Sequence, residues 1–577
     1  MVRALSDVMK PGAERDGRPE AAWITRLATP LPAETPDDGG PPALAGLRFA
    51  VKDNIDVGGL PTTAACPAFA YLADQDATVV RRLRAAGACV LGKTNLDQFA
   101  CGLNGTRSPY GAVPNSFDPR YVSGGSSSGS AYVVATGEAD FALGTDTAGS
   151  GRVPAGLNNI VGIKPTRGLL SARGVVPAMQ SVDCVSIFAC TVELAARVLA
   201  AALGPDAGDP YSRSLVLAPT HWPERFRFGV PSLRAFFGDT QAEAAWDIAV
   251  DKLQALGGTP VEIDYAPLAE AAALLYDSAF VAERYAAVRA FFDAHAEAVI
   301  EPVRGILAQG VRYDAADHVD AQTRLRALGQ RAAAMWSGID VLMVPTAPTH
   351  CTIADMRADP VARNSRMGVY TNFVNLLDYA ALSVPSSLRA DGLPFGVTLI
   401  GPCGSDWQLA ELGQRYHHAT GLAQGATGEP LPASVSIPGL RAEPTVRVAV
   451  VGAHLSGMPL NSQLTERRAT LVATAETAPN YRFYALPGTT PPKPGLLRVA
   501  DGTGGRIALE IWEMPAEHYG SFVALIPAPL GIGTLTLVDG SAVQGFLCEA
   551  LATEDAQDIT HLGGWRAYLA SLQASVA

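Results

Sequence analysis

The stretch from Thr420 to Thr445, TGLAQGATGEPLPASVSIPGLRAEPT, is rich in Gly, Pro and Ala and has no amphipathic period, so it divides the chain. At 577 residues the sequence also exceeds what one hydrophobic core ordinarily holds. Two domains are therefore expected, 1–425 and 446–577, with 426–445 as a linker and residues 1–45 as a polar, Pro-rich arm. Beyond the arm, Leu47–Val51 alternates like a strand. Thr78–Ala86 places Val79, Val80, Leu83 and Ala86 at the spacing of a helix face, Gly87 ends it, and Cys89–Leu91 resumes as a short apolar strand. Helix then strand recurs at Ser130–Thr136 and Phe141–Leu143. This alternation predicts an α/β fold, a sheet covered by helices. After the break, Val446–Val451, Ala469–Thr474, Phe522–Leu525 and Gly533–Val538 are short apolar runs separated by Gly and Pro. They predict a smaller strand-rich domain of roughly 130 residues.

The composition, 48% hydrophobic and 17% charged, is that of a chain able to bury a large core. A net charge of −12 without a dense Lys/Arg tract argues against nucleic acid or an anionic membrane as a partner. The eight cysteines form no C-x-x-C pair, so neither a zinc site nor a disulfide framework is expected, and no metal or other cofactor is. The N-terminal residues lack the apolar core of a signal peptide, and no segment offers the long apolar run of a membrane helix. A cytoplasmic location is the expectation.

Three segments of the first domain carry chemistry: Val51-Lys52-Asp53-Asn54, the run Gly124–Ser130, and Gly144-Thr145-Asp146-Thr147-Ala148-Gly149-Ser150-Gly151-Arg152. A serine hydroxyl is a weak nucleophile and needs a base within hydrogen-bond reach. None of the segments contains His, so a Ser-His-Asp arrangement is not signalled. A lysine buried at a strand end can be held neutral by desolvation and accept a proton, and a second serine can relay it. Glycines let successive backbone N–H groups converge on one point, as an oxyanion hole requires. Taken singly, each segment is ordinary: a flexible Gly/Ser linker, a surface lysine, a turn serine. Lys93 and Lys164 also compete with Lys52 for the role of base.

In their order and spacing these segments resemble the amidase signature family, with Ser126 and Ser150 twenty-four residues apart. The likeness continues through Gly92–Phe99 and Gly162–Gly168 and covers roughly residues 45–425. It implies a large α/β domain with a mixed β-sheet covered by helices, a catalytic lysine at Lys52, a bridging serine in a cis peptide at Ser126, and a nucleophile at Ser150. It further implies an oxyanion hole from the amides of Thr147, Ala148 and Gly149, and support of that loop by Asp146 and Arg152. Gly125 and Arg152 join the substrate-binding set, Arg152 facing an anionic substrate.

Within that family, three features are similar to the allophanate hydrolases. One is LLYDSAFVAERYAA, in which Tyr276 and Arg284 lie eight residues apart, a little over two turns of one helix. The resemblance implies that they bind a carboxylate, for which an arginine fork is suited. Another is the SVDCVS segment at Ser181–Ser186. The third is GAHLSGMPLN at Gly452–Asn461, which implies a γ-glutamyl-cyclotransferase-like second domain with His454 as its candidate for handling an unstable intermediate. The substrate implied is allophanate, urea bearing an N-carboxylate. No biotin-attachment or ATP-grasp segment is present, so a stand-alone homodimeric hydrolase is expected. It would work with a separate urea carboxylase or after another amidohydrolase. The competing expectations are a general or dicarboxylic-monoamide amidase, a glutaminase component of a transamidosome, and a scaffold built on an inactive amidase fold.

Overall fold

The computed structural model describes residues 20–34, 42–440 and 444–574. The chain divides into two compact units, Met1–Arg441 and Ala442–Ala577. The strands of the first are β1 (Trp23–Leu31), β2 (Arg48–Lys52), β3 (Pro61–Thr62), β4 (Tyr71–Leu72), β5 (Cys89–Thr94), β6 (Phe141–Asp146) and β7 (Val161–Lys164). They continue as β8 (Cys184–Ala189), β9 (Phe226–Pro231), β10 (Gly258–Ile263), β11 (Val341–Pro345), β12 (Ala380–Leu388) and β13 (Pro394–Gly401). All but the β3–β4 pair join one eleven-stranded sheet, in the order β1-β5-β2-β6-β8-β7-β12-β13-β11-β9-β10. β2 runs parallel to both β5 and β6, whereas β8 lies antiparallel to β6 and to β7, so the sheet is mixed, as the family resemblance implied.

Strands β6, β7, β8 and β13 are buried along their whole length, which is why they read as continuous apolar runs rather than alternating ones. Helix Thr78–Ala85 buries Thr78, Val79, Val80 and Leu83 against the sheet. Helix Ser128–Ala135 is buried on every side, which its small residues and Val133–Val134 permit without exposing charge.

Two expectations about boundaries need correction. The polar arm contains β1, which pairs antiparallel with β5 and forms an edge of the sheet. The rest of the arm, residues 1–19 and 35–41, lies outside the described residues. The expected free linker is strapped to the first unit instead. Asn159 Nδ2 donates to the carbonyls of Ala423 and Gly425 at 3.0 and 2.9 Å, Ala426 N to Ala135 O at 2.8 Å, and Gln414 Nε2 to Val435 O at 2.7 Å. Ile437 is buried in the main core. Side-chain donors on the unit surface thus satisfy a backbone that has no secondary structure of its own.

The second unit contains β14 (Thr445–Val450), β15 (Thr470–Glu476), β16 (Tyr481–Ala485), β17 (Pro494–Arg498), β18 (Ala508–Pro515), β19 (Leu530–Thr536), β20 (Ala542–Cys548) and β21 (Gln557–Asp558). They form a five-stranded sheet, β15-β18-β14-β20-β19, and a three-stranded one, β17-β16-β21. The unit closes over its own apolar core, which includes Val448, Val450, Phe483, Trp512, Phe522 and Trp565. The run around Phe522 is not a strand but the end of helix Ala516–Val523, in which Phe522 is the buried residue. No helix of the described residues is long and apolar enough to cross a membrane.

Candidate active site

Lys52 is the last residue of β2 and Asp146 the last of β6, its parallel neighbour, so both side chains emerge at the same edge of the sheet. The carboxyl ends of parallel strands are where α/β sheets place ligands. Lys52 is fully buried, and its Nζ lies 2.7 Å from Ser126 Oγ and 2.7 Å from Thr145 Oγ1. Ser126 follows a cis peptide, Gly125–Ser126, and leads into helix Ser128–Ala135. The Gly/Ser run is not a flexible tether. Ser127 Oγ donates to Thr145 O at 3.1 Å and Ser130 Oγ to Leu143 O at 2.9 Å, and neither serine is exposed to water. Glycine at 144 lets β6 approach that closely, since a Cβ there would sit 2.7 Å from Ser127 Oγ.

Burial pushes the Lys52 ammonium down to about 7, against the opposing pull of Asp97, Asp183 and Asp146. Near neutral pH the amine is therefore partly unprotonated and able to accept a proton. The two competing lysines are engaged elsewhere. Lys93 Nζ forms an ion pair with Asp53 at 3.2 Å and donates to Pro61 O and Thr62 Oγ1, while Lys164 Nζ donates to Pro165 O at 2.8 Å. Of the three, Lys52 alone contacts a serine of the constellation.

Ser150 is buried in the turn after β6, and its Oγ donates to Gly102 O at 3.5 Å. Ser126 O accepts from Asp97 N at 3.1 Å, and no hydrogen bond joins the Ser126 and Ser150 hydroxyls among the described residues. Gly149 holds a φ of +140°, and a Cβ there would lie 2.8 Å from the Thr371 Cβ, so only glycine fits. Its amide donates to Asp146 Oδ1 at 2.9 Å and is thereby committed to the loop, which corrects the expectation that it faces an oxyanion. The amides of Thr147 and Ala148 find no acceptor among the described residues. Gly151 N and Arg152 Nε both donate to Asp146 Oδ2 at 2.9 Å. Arg152 is itself fully buried, its remaining donors meeting Asp146 Oδ1, Thr371 O and Asn375 Oδ1. With its fork used up inside the protein it supports the turn and does not face a substrate, contrary to half of its expected role. Burial would raise the Asp146 carboxyl, but the Arg152 guanidinium outweighs this and holds it below the ordinary range.

Tyr276 and Arg284 are brought together, though not by one helix. Helix Ala266–Asp277 ends at Ser278, which is extended, with its Oγ donating to Leu274 O at 2.5 Å; a second helix starts at Val281. Across this break Arg284 Nη2 lies 3.4 Å from the Tyr276 hydroxyl, with the guanidinium 5.1 Å from the ring centroid. Arg284 is only 3% exposed, yet its Nε and Nη1 find no acceptor among the described residues. Tyr276 packs against the apolar cluster that also contains Ala148.

Three residues of the site are not marked as functional groups by the sequence pattern. Thr145 supplies the second contact to Lys52. Asp97, the acid of Gly92–Phe99, accepts from the amides of Asn104, Gly105 and Arg107. Asp183, the acid of Ser181–Ser186, accepts from Thr147 Oγ1 at 2.5 Å and from the amides of Ala178 and Met179. The signal for both acids is that each is the single carboxylate of its motif. In the second unit, His454 lines a cavity of about 150 Å³ with Gln463, Lys493 and Phe546. Its Nε2 pairs with Gln463 Oε1 at 2.9 Å, its ring stacks on Phe546, and burial lowers its pKa, so it is neutral at pH 7.

Comparison with known proteins agrees with this architecture. The amidase family matches residues 23–410, and the allophanate hydrolase C-terminal domain matches residues 446–570. A urea amidolyase of Lachancea kluyveri is 46% identical over 550 residues, 92% of this chain and 30% of that protein. The chain thus spans about a third of the length of that curated relative. A glutamyl-tRNA(Gln) amidotransferase component from Symbiobacterium thermophilum is 37% identical over 411 residues, 65% of this chain and 83% of the relative. The solved structure of Kluyveromyces lactis allophanate hydrolase is 41% identical, with a TM-score of 0.75 over 99% of this chain and 96% of that one. The chain belongs to the amidase family, and its second unit to the family of the allophanate hydrolase C-terminal domain.

Proposed function

We propose that this chain hydrolyses the terminal amide of allophanate through a Ser150–Ser126–Lys52 relay. The observation that carries the choice of substrate is the buried Arg284, with two donors unmet beside the Tyr276 hydroxyl. Asp183 and Glu283 act on the guanidinium through their charge but accept no hydrogen bond from it. Buried donors left unmet are costly unless a ligand satisfies them, and a planar carboxylate fits the fork. The Kluyveromyces lactis relative, named as an allophanate hydrolase and matched over nearly its whole length, points the same way.

In this reading Arg284 and Tyr276 hold the N-carboxylate, and Ser150 Oγ attacks the carbon of the terminal amide. Neutral Lys52 donates one hydrogen to Thr145 Oγ1 and accepts the Ser126 proton, while Ser126 accepts that of Ser150. The developing oxyanion faces the Thr147 and Ala148 amides. The proton returns along the same path to the leaving nitrogen, ammonia departs, and water then releases N-carboxycarbamate from Ser150. That product loses CO2, a step we assign to the second unit, with His454 as the group that meets the intermediate. Gly125, next to Ser126, borders the substrate. The enzyme is expected to be a cytoplasmic homodimer supplied by a urea carboxylase or another amidohydrolase, with sedimentation as the test of assembly.

The test measures ammonia release from allophanate and from an uncharged amide. Ser150→Ala loses on the order of 10³-fold or more on both. Arg284→Lys keeps the charge but not the fork, so only the carboxylated substrate suffers, by about 1.5–3 kcal/mol. Equal losses on the two substrates make Arg284 a structural residue and sink the allophanate reading.

A further inference from the structure

The turn that carries the two unengaged amides has little to hold it in place from within. Gly149 is tied to Asp146, but Thr147 and Ala148 lie between that anchor and the end of β6, with no backbone hydrogen bond of their own among the described residues. Both are held from outside, by one segment. The Thr147 hydroxyl donates to Asp183 Oδ1 at 2.5 Å, and Ala148 packs in an apolar cluster with Met179 and Val182. Asp183 is itself gripped: its Oδ2 accepts from the amides of Ala178 and Met179 at 2.7 and 3.1 Å. Further along, Ser181 N and Oγ donate to the Glu283 carboxylate at 3.2 and 2.8 Å, and Arg167 Nη1 donates to Ser181 O at 3.0 Å. The segment is thus fastened to the helix bearing Arg284 at one point and to the oxyanion turn at another.

We propose that Asp183 is a positioning residue for oxyanion stabilisation: by holding Thr147 through its hydroxyl, it aims the Thr147 and Ala148 amides at the reacting carbonyl oxygen. The inference rests on the proposed serine mechanism. A donor aimed in advance at the site of developing charge contributes far more than one that must reorient during reaction. Asp183 does not touch the substrate. Its loss acts on turnover and leaves the grip of Arg284 and Tyr276 on the carboxylate in place. Because Asp183 and Thr147 form one contact, removing either partner removes the whole effect.

The experiment compares Asp183→Ala, Thr147→Val and the double variant in kcat and KM on allophanate, with circular dichroism as the check on folding. Each single variant is expected to lower kcat about 10²-fold, the scale of one lost oxyanion donor, with KM moving less than about threefold. The double variant is no worse than the worse single one, and Thr147→Ser, which keeps the hydroxyl, recovers most of the loss. Thr147→Val leaves the Asp183 loop intact and carries the test if Asp183→Ala fails to fold. Reaction of Ser150 with a fluorophosphonate, which places its phosphoryl oxygen where the oxyanion forms, slows in parallel. This second readout needs no allophanate, so it stands even if the substrate assignment falls. Singles that keep kcat and labelling within about threefold of wild type, losses that multiply in the double variant, or an effect confined to KM overturn the proposal.

Discussion

In the proposed relay the lysine at the end of β2 accepts a proton only when neutral, and burial brings its ionisation down to about 7. Protonated Lys52 cannot accept from Ser126, so kcat/KM is expected to climb as pH rises through about 7 and then level off. A pH profile that falls across that range removes Lys52 as the base. The same residue shows how far sequence alone reaches. Lys52, Ser126 and Ser150 are legible because three short segments in a fixed order carry them. The choice of Lys52 over Lys93 and Lys164 is not, since only geometry shows Lys93 paired with Asp53 and Lys164 bound to a carbonyl. Nor can residue types alone show that the Gly149 amide and the Arg152 fork are both spent on Asp146.

At the scale of elements, the turn after β6 is the least forgiving piece of the molecule. Gly149→Ala puts a side chain into a positive-φ position facing Thr371. It is expected to lower the stability of the first unit by about 1–3 kcal/mol and to inactivate the enzyme, read by urea unfolding and ammonia release together. A fully active, equally stable variant shows that the turn can move. Elements also mark where pattern reading fails. The eight-residue spacing of Tyr276 and Arg284 invites a single helix, but Ser278 interrupts it, and the two side chains meet across the break. The Gly/Pro-rich segment after Thr420 reads as a tether because it lacks periodicity. Its carbonyls are taken up by Asn159 and Gln414, partners outside the segment that no local pattern could announce. The alternation of helix and strand is legible between Leu47 and Leu143, where strands buried in the sheet leave short apolar runs.

Over the whole molecule, each unit has its own apolar core, so a chain ending at Arg441 is expected to fold and to release ammonia from allophanate at the rate of the full protein. CO2 evolution then lags, and His454→Ala in the full chain reproduces the lag. Superimposable CO2 traces from all three proteins leave the second unit without a part in the chemistry. Arg284 has a further consequence, for stability. A carboxylate that pairs with its unmet donors binds the folded chain and not the unfolded one, so folding and occupancy are thermodynamically linked. Malonate at a hundred times its dissociation constant is expected to add about 2.7 kcal/mol to the unfolding free energy of the wild type, and far less to that of Arg284→Lys. On the proposed reading a carboxylated substrate then acts as a stabiliser, and the protein is hardest to unfold when that substrate is abundant.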